Sequence, residues 1–174
     1  TIWGPDATAA SWKDVDPAFP DVPLKLYGPG TDSGTFDFFT KAINGEEGAS
    51  RTDYSPSEDD NVTIKGVEGE KGGLGYFGLS YYEQNQDQLS LVQVDGGSGC
   101  VAPSTDTVQS GAYAPLSRPL YMYVAAAAAS RPEVKAFVDY YAANEPTLTT
   151  AALFVPLSAE QATTMKDEAA ALAG

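Results

Sequence analysis

The chain has 174 residues, of which 43% are hydrophobic and 20% charged, a balance typical of a globular domain rather than a disordered chain. Its 24 acidic and 10 basic residues give a formal net charge of −14, which argues against nucleic acid and anionic membranes as partners. Histidine is absent, so the commonest general base and metal ligand is missing. No apolar run approaches the roughly 20 residues that span a bilayer, and the first residues lack the basic start of a signal peptide.

The first predicted elements are a strand, a glycine-containing loop and a helix. Residues 24–27 alternate in the manner of a strand, and the Gly-Pro-Gly sequence at residues 28–30 ends it. From Ser33 a helical period places apolar side chains on one face as far as Ile43, and Gly45 is a typical helix end.

Helices and strands continue to alternate along the rest of the chain. Alternation of this kind predicts an α/β fold with a mainly parallel sheet flanked by helices. After residue 45 we predict strands at residues 89–94 and 120–124, and a tight glycine turn into a buried strand at residues 72–78. The predicted helices are one capped by residues 57–60, then residues 79–86, 105–110, 133–144, 147–153 and 159–173, the last capped by Ser158. The connection through Cys100 looks disordered.

The loop and helix start around Ser33 suit an anion. The first amides of a helix have no partner within the helix, and the helix dipole places partial positive charge there. Ser33 and Thr35 add hydroxyl groups, and Gly34 lacks the side chain that would block close approach. The alternative is that Asp32 or Ser33 simply caps the helix, and the residues alone leave both interpretations open.

Enzymatic and metal-binding motifs are excluded in detail. A P-loop would end in Lys-Ser or Lys-Thr, and this loop has neither pair. A nucleophile elbow has a different glycine spacing, and the chain has no histidine that could activate Ser33 as a nucleophile. The acidic run at residues 58–60 lacks the residue order of a calcium loop, which favours a solvated helix start. We therefore expect no catalytic residues, no cofactor and no metal site.

Two further residues have two possible interpretations each. Arg51 is the candidate cation for an anion site because guanidinium groups match tetrahedral oxyanions bidentately, but an ion pair with Asp53 or Glu58 fits its spacing equally well. Cys100 is the single cysteine; it either pairs with a partner outside the chain or is a free thiol, and a lone buried thiol is the alternative.

Four blocks of sequence, taken together, resemble the phosphate-binding proteins of bacterial ABC importers. Residues 26–36 resemble the central anion-binding segment of that family, and residues 51–61, 73–78 and 115–121 resemble further blocks in the same order. The resemblance implies a periplasmic-binding-protein-like fold of two α/β lobes with phosphate in the cleft, and a non-enzymatic receptor that delivers inorganic phosphate to a membrane permease. The phosphate contacts that it implies by position are Ser33, Gly34 and Thr35. Thr31 and Arg51 are further candidate contacts.

The resemblance also implies how the chain is organised. Residues 1–118 would be the second lobe, and residues 119–174 the return hinge strand and C-terminal helices of a first lobe whose N-terminal part is missing. The partner of Cys100 would lie in that missing part. Pro29 departs from the better-known branch, which has an arginine at that place, so Arg51 taking over the charge is a hypothesis.

Location, partners and alternatives follow from the same resemblance. The full-length protein would be extracytoplasmic, either periplasmic or at the cell surface, and lipid-anchored. The 174-residue chain would expose apolar side chains of its C-terminal helices, which favours a dimer. The alternatives are a receptor for another oxyanion, such as sulfate or molybdate, and a non-transport surface protein that retains the fold. The side chains expected to be exposed include Phe137, Tyr140, Leu153 and Phe154.

Overall fold

The computed structural model describes residues 1–172. Its fold divides into two units, Thr1–Val92 and the residues from Gln93 onward. The resemblance places a lobe boundary at residue 118 instead, and that boundary remains a prediction.

A three-stranded parallel sheet organises the first unit. Strand β1 (Lys25–Gly28) lies in the middle, with β2 (Ser55–Pro56) on one side and β3 (Gly73–Gly75) on the other. Both neighbours run parallel to β1, which confirms the expected α/β class. Strand β2 was not among the predicted elements, because two residues that include a proline carry no periodic signal.

The first unit has four α-helices, and the two that connect its strands each begin at a capping side chain. The Ser33 hydroxyl accepts a hydrogen bond from the Thr35 amide, and the Asp59 carboxylate accepts one from the Asn61 amide, so both caps lie where the sequence predicts them. The longest of these helices packs against β1 and β3. The helices are α1 (Trp12–Val15), α2 (Gly34–Phe39), α3 (Asp60–Glu68) and α4 (Leu79–Glu83).

The end of α2 departs from the predicted helix. A wide π-helical turn covers Thr40–Asn44 before Gly45 ends the helix with a φ of 87°. Phe36 and Phe39 are buried, but Ile43 is 43% exposed. Because a π turn bonds residue i to i+5, it carries the following residues out of the α-helical phase, and Ile43 leaves the buried face.

The glycines before β3 allow the backbone to pack closely, as predicted. A Cβ atom on Gly72 would lie 2.0 Å from the carbonyl oxygen of Pro23, so only glycine fits there without movement of the backbone. The strand that follows is half-buried rather than buried. The core of the first unit consists of Trp3, Ala9, Leu24, Leu26, Phe36, Phe39 and Ile64.

The second unit is mainly helical. Helices α6 (Pro132–Ala151) and α7 (Ala159–Ala171) pack together around a small core of Val138, Ala142 and Ala169. The short helix α5 (Thr105–Gln109) starts at a capping box on Ser104, and Ser158 caps α7 in the same way, as predicted. No helix within residues 1–172 is long and apolar enough to cross a membrane.

The segment through Cys100 is more ordered than predicted. Strands β4 (Val94–Asp95) and β5 (Cys100–Val101) form a small antiparallel hairpin. The Asp95 carboxylate accepts hydrogen bonds from the amides of Gly97 and Gly99, at 2.8 and 2.9 Å. Those glycines have φ values near 100°, which other residues rarely adopt. Cys100 is a free, exposed cysteine, so the interpretation as a buried thiol is wrong.

Two predicted strands are wrong. Of residues 89–94 only Val94 belongs to a strand, and residues 120–124 belong to none. Tyr121 and Tyr123 are 72% and 89% exposed. Aromatic and β-branched residues indicate only that a segment would fit a pleated surface; a strand also needs a partner, and these residues have no ladder partner in the described part of the chain.

The predicted break near residue 146 is also wrong, because α6 continues through Pro146. A proline inside a helix removes one hydrogen bond and costs about 3 kcal/mol, so the packing of this 20-residue helix against α7 offsets that loss. The last predicted helix ends two residues earlier, at Ala171; Ala173 lies outside the described residues.

Candidate functional site

The topology of the parallel sheet identifies one edge as a place for a ligand. The chain leaves β1, forms β2 on one side, and returns to form β3 on the other side of β1. The carboxyl end of β1 is therefore a topological switch point, and ligands of open parallel sheets bind in the crevice at such points. The loop of residues 29–33, here called the anion loop, follows β1 at that edge.

Four of the five residues predicted to contact an anion lie within residues 31–35, at the end of the anion loop and the start of α2. The Ser33 amide donates to the Gly30 carbonyl at 3.2 Å, and the Ser33 hydroxyl oxygen accepts from the Thr35 amide at 3.2 Å. Ser33 and Thr35 are half-buried, while Thr31 and Gly34 are exposed. The capping interpretation is therefore confirmed. The cap still leaves Ser33 able to donate a hydrogen bond to an anion, because capping uses a lone pair of the hydroxyl oxygen and not its hydrogen.

The segment after Arg51 runs beside the start of the anion loop. The Tyr54 hydroxyl donates to the Pro29 carbonyl at 2.8 Å, and the Ser57 amide donates to the Gly28 carbonyl at 2.9 Å. Burial, and secondarily the charge of Glu58, raises the pKa of Tyr54. The phenol is therefore a stable hydrogen-bond donor at neutral pH.

An aromatic cluster lies beneath the same loop. The rings of Phe39 and Tyr76 stack with centroids 3.8 Å apart, and Trp3 meets both edge-on. A Cβ atom on Gly28 would lie 2.9 Å from the Tyr76 ring, so glycine at the end of β1 is what lets this ring approach. Burial raises the pKa of Tyr76. The sequence did not identify Tyr54 and Tyr76 as residues that support this loop. The only signal of such close packing was the glycines around β1 and β3.

The hydrogen bonds of the Arg51 side chain go to Asp53, Ile2 and Ala9 rather than to Ser33. Its Nε and Nη2 atoms lie 2.5 and 2.8 Å from the two carboxylate oxygens of Asp53, and Nη1 donates to the carbonyls of Ile2 and Ala9 at 3.2 and 3.1 Å. The ion pair with Asp53, one of the two interpretations of the sequence, is present. The hydrogen bond from Arg51 lowers the pKa of Asp53. None of these four bonds reaches residues 31–35.

Acidic side chains also lie at this edge of the sheet. The carboxylate of Glu58 contacts Gly30, where a Cβ atom would lie 2.1 Å from Oε1. Burial, followed by the charges of Asp59 and Glu58, raises the pKa of Asp60. Within residues 1–172 no group of three or more histidine, cysteine or acidic side chains is arranged to hold a metal ion. These carboxylates would disfavour a fully ionised anion and accept hydrogen bonds from a protonated one.

The sheet, the switch point and the capped anion loop match a known architecture. A family model described as a PBP superfamily domain matches residues 6–145. The chain belongs to that superfamily. The resemblance found in the sequence and the expected α/β fold are both confirmed.

Curated relatives of this PBP superfamily domain include a protein whose name refers to phosphate. The chain is 42% identical over 116 residues to the phosphate-binding protein PstS of Staphylococcus saprophyticus, which covers 66% of this chain and 35% of that protein. It is 48% identical over 162 residues to protein SphX of Synechocystis, and this match covers 91% of this chain and 48% of that protein. The chain thus spans about half the length, or less, of the curated relatives it matches.

A solved structure has the same fold. The crystal structure of a possible phosphate binding protein from Planctomyces limnophilus matches 99% of this chain and 62% of its own chain, with a TM-score of 0.88 and 37% sequence identity. At that identity and coverage the fold of this PBP superfamily domain is secure.

Proposed function

We propose that this chain is part of a receptor that binds inorganic phosphate at the anion loop and the start of α2. The observation that carries the proposal is the 42% identity to a protein named phosphate-binding protein PstS. The capped helix start of residues 33–35 at the carboxyl edge of the parallel sheet supports it.

Hydroxyl groups and the helix dipole supply the binding chemistry. Thr31, Ser33 and Thr35 present hydroxyls within five residues, and Gly34 has no side chain to obstruct an oxyanion. Together with the partial positive charge at the start of α2, they bind phosphate without a metal or cofactor. Arg51 is proposed as a further contact. Because its guanidinium is already bonded to Asp53, it would have to bind Asp53 and phosphate together or exchange Asp53 for phosphate.

For the full-length protein we propose a role in transport. It is the extracytoplasmic, lipid-anchored, substrate-binding component of an ABC importer, and it hands phosphate to a membrane permease without chemical conversion. Residues 1–118 form its second lobe, and residues 119–174 return to the first lobe. The names of the relatives, which denote binding proteins, support this non-enzymatic role.

Titration calorimetry on the full-length protein tests the binding proposal. We compare phosphate with sulfate, and wild type with Ser33→Ala and Ser158→Ala. Both serines cap helices, so each substitution is expected to lower stability by about 1 kcal/mol. Only Ser33→Ala should weaken phosphate binding.

The outcomes separate the rival functions. Phosphate binding that is weakened by Ser33→Ala and not by Ser158→Ala supports the proposal. Tighter binding of sulfate or molybdate would identify a receptor for another oxyanion. Absence of binding to every oxyanion would favour a surface protein that retains the fold alone.

A further inference from the structure

We infer that Tyr54 is a positioning residue of the phosphate site: its hydroxyl fixes the turn of the anion loop that carries Ser33. The inference rests on the proposed function, because it concerns the affinity of that same site. It assigns a role to a side chain that is not itself one of the expected phosphate contacts.

Three successive carbonyl groups hold the start of the anion loop. The Gly28 carbonyl accepts from the Ser57 amide at 2.9 Å and the Gly30 carbonyl from the Ser33 amide at 3.2 Å. Between them, the Pro29 carbonyl accepts from the Tyr54 hydroxyl at 2.8 Å. The outer two bonds come from the main chain, and proline has no amide hydrogen of its own. The middle of this turn is therefore tied down by one side chain.

The Tyr54 ring is itself held in place, so its hydroxyl acts as a fixed support. The ring meets Trp3 edge-on, with centroids 5.9 Å apart, and Trp3 is 8% exposed. Tyr54 directly precedes β2, whose Ser55 pairs with Tyr27 of β1. Few rotamers are therefore open to this side chain, and its hydrogen bond needs little further ordering.

Fixing the loop before phosphate arrives increases affinity. A flexible loop must lose conformational freedom when it binds, and a loop already held in its bound conformation avoids that loss. The Tyr54 bond fixes Pro29, the next carbonyl holds Ser33, and Ser33 in turn caps α2. Loss of the Tyr54 hydroxyl removes the first hydrogen bond of this series and leaves Pro29 less restrained.

The substitution Tyr54→Phe tests the inference because it keeps the ring and removes only the hydroxyl. Tyr27→Phe is the matched control: Tyr27 lies in β1, its ring packs against Gly66, and its hydroxyl takes part in no hydrogen bond within the described part of the chain. Phosphate affinity is measured by titration calorimetry on the full-length protein. We expect about fivefold weaker binding for Tyr54→Phe, the effect of one ordinary hydrogen bond, and less than a twofold change for Tyr27→Phe.

Amide hydrogen exchange without phosphate supplies a readout that a general loss of stability would not give. The Ser33 and Thr35 amides should exchange faster in Tyr54→Phe, while amides within α3 exchange as in wild type. A uniform increase across the first unit would mean that Tyr54 is merely structural and would overturn the inference.

The titrations also separate this inference from the proposed function. Wild type that binds phosphate, with Tyr54→Phe binding equally well, overturns the role of Tyr54 and leaves the function intact. Wild type that binds no phosphate overturns both. Equal weakening by Tyr54→Phe and Tyr27→Phe would also count against a specific role for Tyr54.

Discussion

The guanidinium of Arg51 and the carboxylate of Asp53 form a bidentate ion pair, with Nε at 2.5 Å and Nη2 at 2.8 Å from the two carboxylate oxygens. The pair is unequal, because the Arg51 side chain is 8% exposed and that of Asp53 is 68% exposed. The same guanidinium reaches back through Nη1 to the carbonyls of Ile2 and Ala9. Arg51 thereby ties the N-terminal segment to the segment that leads into β2.

Replacing Arg51 with alanine should destabilise the fold. The carbonyls of Ile2 and Ala9 would lose a charged donor, and hydrogen bonds to charged groups contribute about 1.5–3 kcal/mol each. We expect urea titrations to show that the free energy of unfolding falls by at least the value of one such bond, about 1.5–3 kcal/mol. Arg131→Ala is the control: Arg131 pairs with Glu133 at the surface, where both side chains are about 60% exposed, and such pairs contribute about 0–1 kcal/mol. Equal effects of the two substitutions would contradict this account.

The same Arg51→Ala variant decides whether Arg51 contacts phosphate. If the guanidinium binds the anion in the full-length protein, affinity should fall by about 1.5–3 kcal/mol, the range for a charge-assisted hydrogen bond. Calorimetry below the unfolding temperature of the variant measures this separately from stability. Unchanged affinity together with lowered stability would remove Arg51 from the site.

The Asp53 carboxylate should make stability depend on pH at the acidic end. The hydrogen bond from Arg51 lowers the pKa of Asp53 below 3.8, so the folded state favours the ionised form. Its contribution is present above pH 4 and is lost as pH falls through the lowered pKa. Urea midpoints of wild type and Asp53→Asn should therefore differ at pH 6 and converge as the pH falls through the lowered pKa of Asp53. A gap that stays constant over that range would contradict the predicted linkage.

Local signals in the sequence predicted the parts of this fold that depend on neighbouring residues. The caps at Ser33 and Ser158 depend on a side chain and an amide two or three residues away, and the pattern of sequence reports such contacts directly. Gly45, which ends the helical segment after the π turn, is a local signal in the same way. These features place the anion loop and the start of α2 where the sequence predicted them.

The rest depends on contacts between distant residues. Residues 120–124 have the composition of a strand, but no strand forms without a partner in the described part of the chain. Tyr54 and Pro29 are 25 residues apart, and no periodicity links them. The π turn at Thr40–Asn44 shifts Ile43 out of the face that a regular helix would give it. Tertiary contacts decided the first two of these, and the π turn carries no periodic signal in the sequence.

Exposed apolar side chains should make the 174-residue chain self-associate. Large apolar patches on a surface usually find a partner, and we expect a dimer by light scattering at micromolar concentration. Tyr121→Ser combined with Tyr123→Ser should shift it toward monomer, because both rings are largely exposed. A monodisperse monomer for the unsubstituted chain would refute this prediction. The exposed apolar residues of the second unit include Leu120, Tyr121, Met122, Tyr123, Phe137, Tyr140 and Phe154, whereas Leu153 is half-buried.

Helix α6 contains two prolines that should respond oppositely to replacement by alanine. Pro132 lies in the first turn, where a missing amide hydrogen has no cost and the fixed φ favours the helix. Pro146 lies in the interior, where alanine would restore an amide that can donate to the carbonyl four residues earlier. We expect Pro146→Ala to raise the free energy of unfolding by about 1–3 kcal/mol, reduced somewhat by the greater freedom of its unfolded chain. Pro132→Ala should be neutral or slightly destabilising. Thermal unfolding of the two variants measures the difference, and a Pro146→Ala variant no more stable than Pro132→Ala would mean that α6 has adapted to its internal proline at no cost.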